Sequence, residues 1–269
     1  MEHQPFRPGD GHRYAAMEWF LLIVIVALAV VLWSFSRRPT TTLQAPSIHT
    51  PNPLGNIDTT PDAPMSFGYK MSWLALKTKD SAAVCESLPV TNIQPANWRT
   101  GFVAAYGGHV FISPPVNGWT LVVSHQLPEF PEEDRTDELT PLLASLSDRF
   151  SEAQYFCTHR VVDYHAWALF TNGREVRAFV YLGERGEYLA NRGDETDGEL
   201  DLGYVYFDPD APDAKSETYW ERDDLCYPDE EHVMEVAGKW SVNPQTLEDL
   251  GLPNGSGWIG QYKSSQSAA

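Results

Sequence analysis

The sequence predicts an α+β protein in which a single N-terminal transmembrane helix precedes an acidic globular domain built on an antiparallel sheet. Three observations carry this expectation: an uncharged apolar run near the N-terminus, strand-like and helix-like patterns in alternation from residue 69 onward, and Asn-Gly pairs between apolar runs. With 269 residues, 42% hydrophobic and 12% aromatic, the chain is long enough to bury a sizeable core.

The apolar run is "WFLLIVIVALAVVLWSF", Trp19 to Phe35, without a charge or a helix breaker. As a helix it would span roughly 25 Å, enough to cross the hydrocarbon core of a bilayer. Trp19 and Trp33 sit near its ends, where interfacial aromatics belong. A cleaved signal peptide needs a basic segment before the run and a small-residue cleavage site after it, whereas "SRRPTTT" follows. Residues 1–18 therefore read as a short flank and 19–36 as a single-pass helix in a cell membrane, with the lipid bilayer as partner. Arg37 and Arg38 directly follow the run, and the positive-inside rule places the rest of the chain on the cytoplasmic side. Met17 is an alternative start, which would leave only Glu18 in the flank.

Residues 37–66 are rich in Pro, Thr and Ser and have no apolar periodicity, the composition of an extended linker. Residues 263–269 read as a flexible tail. The globular domain, residues 67–262, begins with "YKMSWLALKT" (69–78), whose alternation suits a strand, and "KDSAAVCESL" (79–88), a short helix capped by Asp80 or Ser81. "HVFIS" and "WTLVVS" form a hairpin-like pair across Asn117-Gly118. "TDELTPLLASLSDRF" (136–150) places Leu139, Leu142, Leu143, Leu146 and Phe150 at helical spacing, with Asp137 or Thr140 as cap and Pro141 in the first turn. "EAQYFCTH" (152–159) is another strand.

The order strand, helix, strand, strand, helix, strand resembles the βαββαβ arrangement of ferredoxin-like folds, which implies an antiparallel sheet with its helices on one face. "YHAWALFT" and "EVRAFVYLG", joined at Asn172-Gly173, extend the sheet by a hairpin. An acidic, turn-rich stretch follows to about residue 228. Two C-terminal helices close the domain: "DEEHVMEVAGKW", and "NPQTLEDLG" with Asn243 as cap, Pro244 in the first turn and Gly251 as stop.

Charge narrows the partners. Nineteen Lys and Arg against 37 Asp and Glu give a formal net charge of −18, which repels phosphate backbones, so no nucleic acid is expected and a basic protein or a cation is the expected partner. The three cysteines, Cys85, Cys157 and Cys226, lie far apart and form no CxxC pair, which suits neither a disulfide framework nor a structural zinc site.

The densest chemistry lies in "CTHRVVDYHAWALF" (157–170). In one unbroken strand Cys157, His159, Asp163 and His165 would share a face and form a candidate catalytic cluster. A turn near Arg160 to Asp163 would break that parity. A Cys-His dyad needs facing elements and a third group to orient the histidine, and a metal needs three or four converging ligands. The competing account makes Cys157 a small core residue, packs Trp167 and Phe170, and pairs Asp163 with a neighbouring His or Arg. "GDETDGELD" (193–201) fails the calcium-loop spacing, because Gly198 in sixth place puts Gly193 first and Tyr204 twelfth. "VMEVAGKWSVNPQTL" resembles a helix-turn-helix, yet its second helix carries Glu248 and Asp249 and no basic residue. There is no Walker loop, GxSxG elbow, HExxH or dinucleotide fingerprint, and no cofactor is expected. The reading that results is a membrane-anchored, non-enzymatic binding or regulatory module, immunity- or inhibitor-like, that presents an acidic domain to a protein partner. The alternative is a membrane-anchored, hydrolase-like enzyme using Cys157, His159, Asp163 and His165.

Overall fold

A computed structural model describes residues 57–132, 135–209 and 211–263, all within the compact unit Pro51–Ala269. Its centre is strand β1 (Met71–Leu76), in which all six residues are buried. Such a strand must be covered on both faces, and its near-continuous apolar sequence reflects that. β4 (Thr120–Val123) pairs on one side of it and β5 (Glu152–His159) on the other, both antiparallel.

The sheet grows outward from there. β6 (Tyr164–Thr171), β7 (Arg174–Leu182) and β8 (Glu187–Arg192) follow β5 as consecutive hairpins. The β6–β7 turn uses Asn172 and Gly173, both at positive φ (49° and 77°), the conformation a tight hairpin demands. On the other flank β3 (Val110–Ile112) pairs with β4, and the C-terminal β11 (Ser256–Tyr262) lies between β3 and β2 (Val90–Asn97). The result is one nine-stranded sheet of order β2-β11-β3-β4-β1-β5-β6-β7-β8, every neighbouring pair antiparallel.

Each face has its own core. On one, α1 (Ser81–Ser87) and α3 (Leu139–Phe150) set Val84, Leu139, Leu143 and Leu146 against Leu74, Tyr155, Cys157 and Ala166. On the other, α2 (Trp98–Tyr106) and α6 (Glu230–Trp240) set Phe102, Val233 and Val236 against a row of aromatic residues. That row crosses four strands in register: Trp73 pairs with Phe156, Phe156 with Trp167, and Trp167 with Phe179. Trp73 and Phe156 stack at 5.1 Å between ring centroids, and Trp167 and Phe179 at 4.3 Å. Cross-strand aromatic pairs of this kind contribute about 0.5–1.5 kcal/mol each beyond the area they bury.

This architecture corrects the expected fold class. The ferredoxin-like unit plus one hairpin, with helices on one face, gives way to a nine-stranded sheet covered on both faces. Three strands beyond the expected set account for the difference: β2, β8 and β11. β2 contains Pro95 and β11 contains Gly257 and Gly260, residues that weaken a strand pattern in sequence, yet each sits where the sheet accommodates it. β2 is an edge strand. In β11 the backbone passes so close to β3 that a Cβ on Gly257 would lie 2.1 Å from the Ile112 carbonyl oxygen.

The single-pass membrane helix is likewise no part of the observed fold. Among the described residues no helix is long and apolar enough to cross a membrane, and Trp19 to Phe35 lies outside them. The flank 1–18 and the tail 264–269 also lie outside the described residues, as does the linker up to residue 56.

Candidate functional site

The β5–β6 hairpin carries the four candidate residues and separates them. Cys157 pairs with Ala166, and Thr158 pairs with His165. Since successive side chains of a strand point to opposite faces, Cys157 and His165 lie on opposite sides of the sheet. Cys157 is buried beside Leu74 and Tyr155, where its Sγ accepts a hydrogen bond from Ser72 Oγ at 3.1 Å and faces Glu129 Oε1 at 3.8 Å. Burial, reinforced by the Glu129 charge, pushes this thiol far above its ordinary range, so it is a protonated core group rather than a thiolate nucleophile.

His159 ends β5 and is exposed. After the turn, Asp163 adopts a positive φ of 54° and turns its carboxylate back over Gly183, where a Cβ would fall 1.8 Å from Oδ2. Glycine at 183 therefore creates the space that this carboxylate fills. Asp163 Oδ1 lies 2.9 Å from His165 Nε2, while the His165 ring is fully buried and its Nδ1 meets no hydrogen-bond partner. The structure thus brings Asp163 and His165 together, leaves His159 at the rim and sends Cys157 to the other face. An enclosed imidazole presents no nitrogen to a substrate in solution, so this pair fixes the turn. Among the described residues no group of three or more His, Cys, Asp or Glu is arranged to hold a metal ion.

A second cluster was not singled out by its sequence. Arg177 and Glu199 are both buried, and Arg177 Nε donates to Glu199 Oε1 at 3.0 Å. The same carboxylate oxygen accepts from Trp167 Nε1 at 2.8 Å, and the other accepts from Thr196 N and Oγ1, both at 2.9 Å. Arg177 also donates to Asn191 Oδ1 at 2.7 Å and to the Arg192 and Gly193 carbonyls. The acidic loop around residue 198 is therefore pinned to the sheet by a short capped helix, α4 (Asp197–Leu200), with Glu199 turned inward.

What remains on the surface is an acidic stretch with aromatic side chains set into it. Between residues 194 and 235 stand sixteen Asp and Glu against only Lys215 and Arg222. Of the described acids here, Glu199 is buried and Glu230 half-buried; the others are exposed. A two-stranded parallel ribbon, β9 (Val205–Tyr206) and β10 (Leu225–Cys226), and the short helix α5 (Glu217–Trp220) hold this stretch over the aromatic face of the sheet. Buried Phe207 anchors it through Tyr188, stacked at 4.7 Å, whose hydroxyl donates to the Phe207 carbonyl at 2.9 Å. Trp220 and Tyr227 contact the same Phe207 ring, at 5.8 and 5.1 Å, and stay 42% and 50% exposed. Both thus belong to one patch, and the exposed Asp213, Glu217, Glu221 and Asp223 lie within seven residues of Trp220 along the chain. No protein-family model, curated protein or solved structure matches the chain. Its chemistry has to be read from this surface alone.

Proposed function

We propose that the domain is a non-enzymatic binding module that captures a basic protein segment on the surface around Trp220 and Tyr227. The observation that carries this reading is the placement of two half-exposed aromatic rings on a common buried ring, in a stretch of chain dense in exposed carboxylates. Aromatic side chains supply the large, low-entropy contact area of binding hot spots. Carboxylates around them attract Lys and Arg and select against acidic partners. A cation brought into the patch meets an aromatic face as well as a carboxylate. An enzymatic role for Cys157, His159, Asp163 and His165 is less well supported, because the residues occupy opposite faces of the sheet and the two with the most reactive chemistry are buried.

The test is fluorescence anisotropy of a labelled Lys/Arg-rich peptide titrated with the full chain. Binding should weaken as salt rises, and the Trp220→Ala/Tyr227→Ala variant should lose about tenfold or more in affinity. Equal binding by wild type and variant would leave only diffuse attraction to an acidic protein, and the reading fails.

A further inference from the structure

The sequence contains three Asn-Gly pairs, beginning at Asn117, Asn172 and Asn254, and the fold gives each a different setting. Asn followed by Gly is chemically open to cyclisation, because glycine has no side chain to hinder attack of its backbone nitrogen on the asparagine carboxamide. In a folded chain that attack also needs a glycine N–H free of hydrogen bonds and a turn that is not packed in.

Asn117-Gly118 and Asn172-Gly173 are near twins in backbone. Each forms a two-residue turn, the first closed by the Val116–Trp119 bridge and the second by the Thr171–Arg174 pair. Their φ angles are 47° and 95° in the first and 49° and 77° in the second. In each the asparagine is exposed and the glycine half-buried, so the two differ neither in dipeptide nor in turn. What differs is the hold on the glycine nitrogen. Gly173 N donates to Ser147 Oγ at 3.0 Å, and a Cβ on Gly173 would lie 3.6 Å from Asp148 Oδ1 and 3.8 Å from the Ala144 carbonyl oxygen, so α3 backs this turn. Removing the Gly173 proton would break a hydrogen bond and set negative charge beside a carboxylate.

Asn254-Gly255 is held more firmly still. Gly255 N donates to the Asp62 carbonyl at 2.9 Å, the Asn254 carboxamide donates to the Pro61 carbonyl at 3.4 Å, and Pro114 Cγ stands 2.9 Å from where a Gly255 Cβ would be. At the first pair, nothing among the described residues accepts from Gly118 N–H or pairs with the Asn117 carboxamide, and the Gly118 Cβ position has open space within 4 Å.

We infer that Asn117 is the residue at which the folded chain deamidates. The Gly118 nitrogen gives its proton to solvent base and attacks Asn117 Cγ; the N–Cγ bond forms, the Cγ–Nδ2 bond breaks, and ammonia leaves with a proton from water. Water then opens the succinimide at either carbonyl to aspartate or isoaspartate, with no change of oxidation state. Isoaspartate routes the main chain through the former side chain and adds one backbone carbon. It does so inside a turn whose closing bonds, Val116 N–H to the Trp119 carbonyl and the reverse, measure 2.7 and 2.9 Å. The modification therefore adds a negative charge and loosens the β3–β4 connection at one position.

Incubation of the full chain in mildly alkaline buffer, followed over time by peptide mapping with tandem mass spectrometry, tests the assignment. In guanidinium chloride, where no fold distinguishes them, the three pairs should react at similar rates. In the folded chain Asn117 should lead Asn172 and Asn254 by about fivefold or more. Ser147→Ala removes the acceptor for Gly173 N–H and should speed reaction at Asn172 severalfold while Asn117 keeps its rate. Asn172 or Asn254 reacting as fast as Asn117 in the folded chain, equal rate ratios in folded and unfolded chain, or an unchanged Asn172 rate in Ser147→Ala overturns the assignment.

Discussion

At the scale of single residues, the most consequential interaction is the buried Arg177–Glu199 pair. Every polar atom of Glu199 is engaged: one oxygen by Arg177 and Trp167, the other by Thr196. Glu199→Ala would leave Arg177 buried without its counter-charge, which costs about 3–5 kcal/mol. Urea unfolding should register that loss, and the double variant Arg177→Met/Glu199→Ala should recover a large part of it. A single variant as stable as wild type would show that the pair does not hold the loop. Some of this was legible in the sequence. "TDGE" (196–199) has the Ser/Thr-x-x-Glu spacing of a capping box, and Thr196 and Glu199 do cap each other. Arg177 in "REVRAFVYL" stands at a position that alternates with Phe179 and Tyr181, so a charge on a core face was visible there. Its partner was not, because they pair across 22 residues through a loop whose acidity alone suggests solvation.

At the scale of elements, α6 illustrates a cap that depends on protonation. Asp229 accepts from the Glu231 and His232 backbone N–H groups, and His232 Nδ1 accepts from the Asp229 N–H at 3.2 Å. That last bond requires a neutral Nδ1. Burial lowers the His232 pKa from its ordinary 6.5, against the opposing pull of Asp229 and Glu235. The folded state therefore binds fewer protons than the unfolded state as pH falls through about 6.5, and stability contributed by neutral His232 is present above that value and lost below it. His232→Gln keeps a capping side chain that does not titrate. Its unfolding free energy should fall less than that of wild type between about pH 7.5 and about pH 5 in matched urea titrations. A parallel fall in both proteins would assign the acid sensitivity elsewhere. Element positions were largely readable where apolar alternation is strong: "EAQYFCTH" and "YHAWALFT" coincide with β5 and β6 to the residue. Asp80, Asn243 and the Asn172-Gly173 turn also act as their chemistry indicates. Patterns fail where tertiary position replaces propensity. β2, with Asn92, Gln94 and Pro95, is a strand because β11 pairs with it.

At the scale of the whole molecule, the placement of β11 governs cooperativity. It lies between β2 and β3 although it comes from the last described part of the chain. No local pattern could announce that, since partner choice across more than a hundred residues is set by which edge remains open. Deletion of residues 256–269 would remove both of its ladders and expose Phe111 and Ile112 on β3. The truncated protein should lose its cooperative urea transition; a sharp transition in it would mean that the rest of the sheet folds without this strand. The same long-range closure explains why the candidate site was only partly foreseen. Asp163 and His165 meet because they are two residues apart, whereas Arg177 and Glu199 meet across 22 residues only once the loop at 196–199 folds back onto the sheet.

The aromatic row from Trp73 through Phe156 and Trp167 to Phe179 also gives the molecule an internal optical gauge. Its two indoles are buried on the same rung of the sheet, on β1 and β6, with Phe156 of β5 paired between them. Rings held rigidly in asymmetric stacks give strong near-ultraviolet dichroism, and that signal depends on the three strands lying side by side. Part of the dichroism in this region is thus lost when the central strands separate, whereas the emission of exposed Trp220 follows events on the acidic surface.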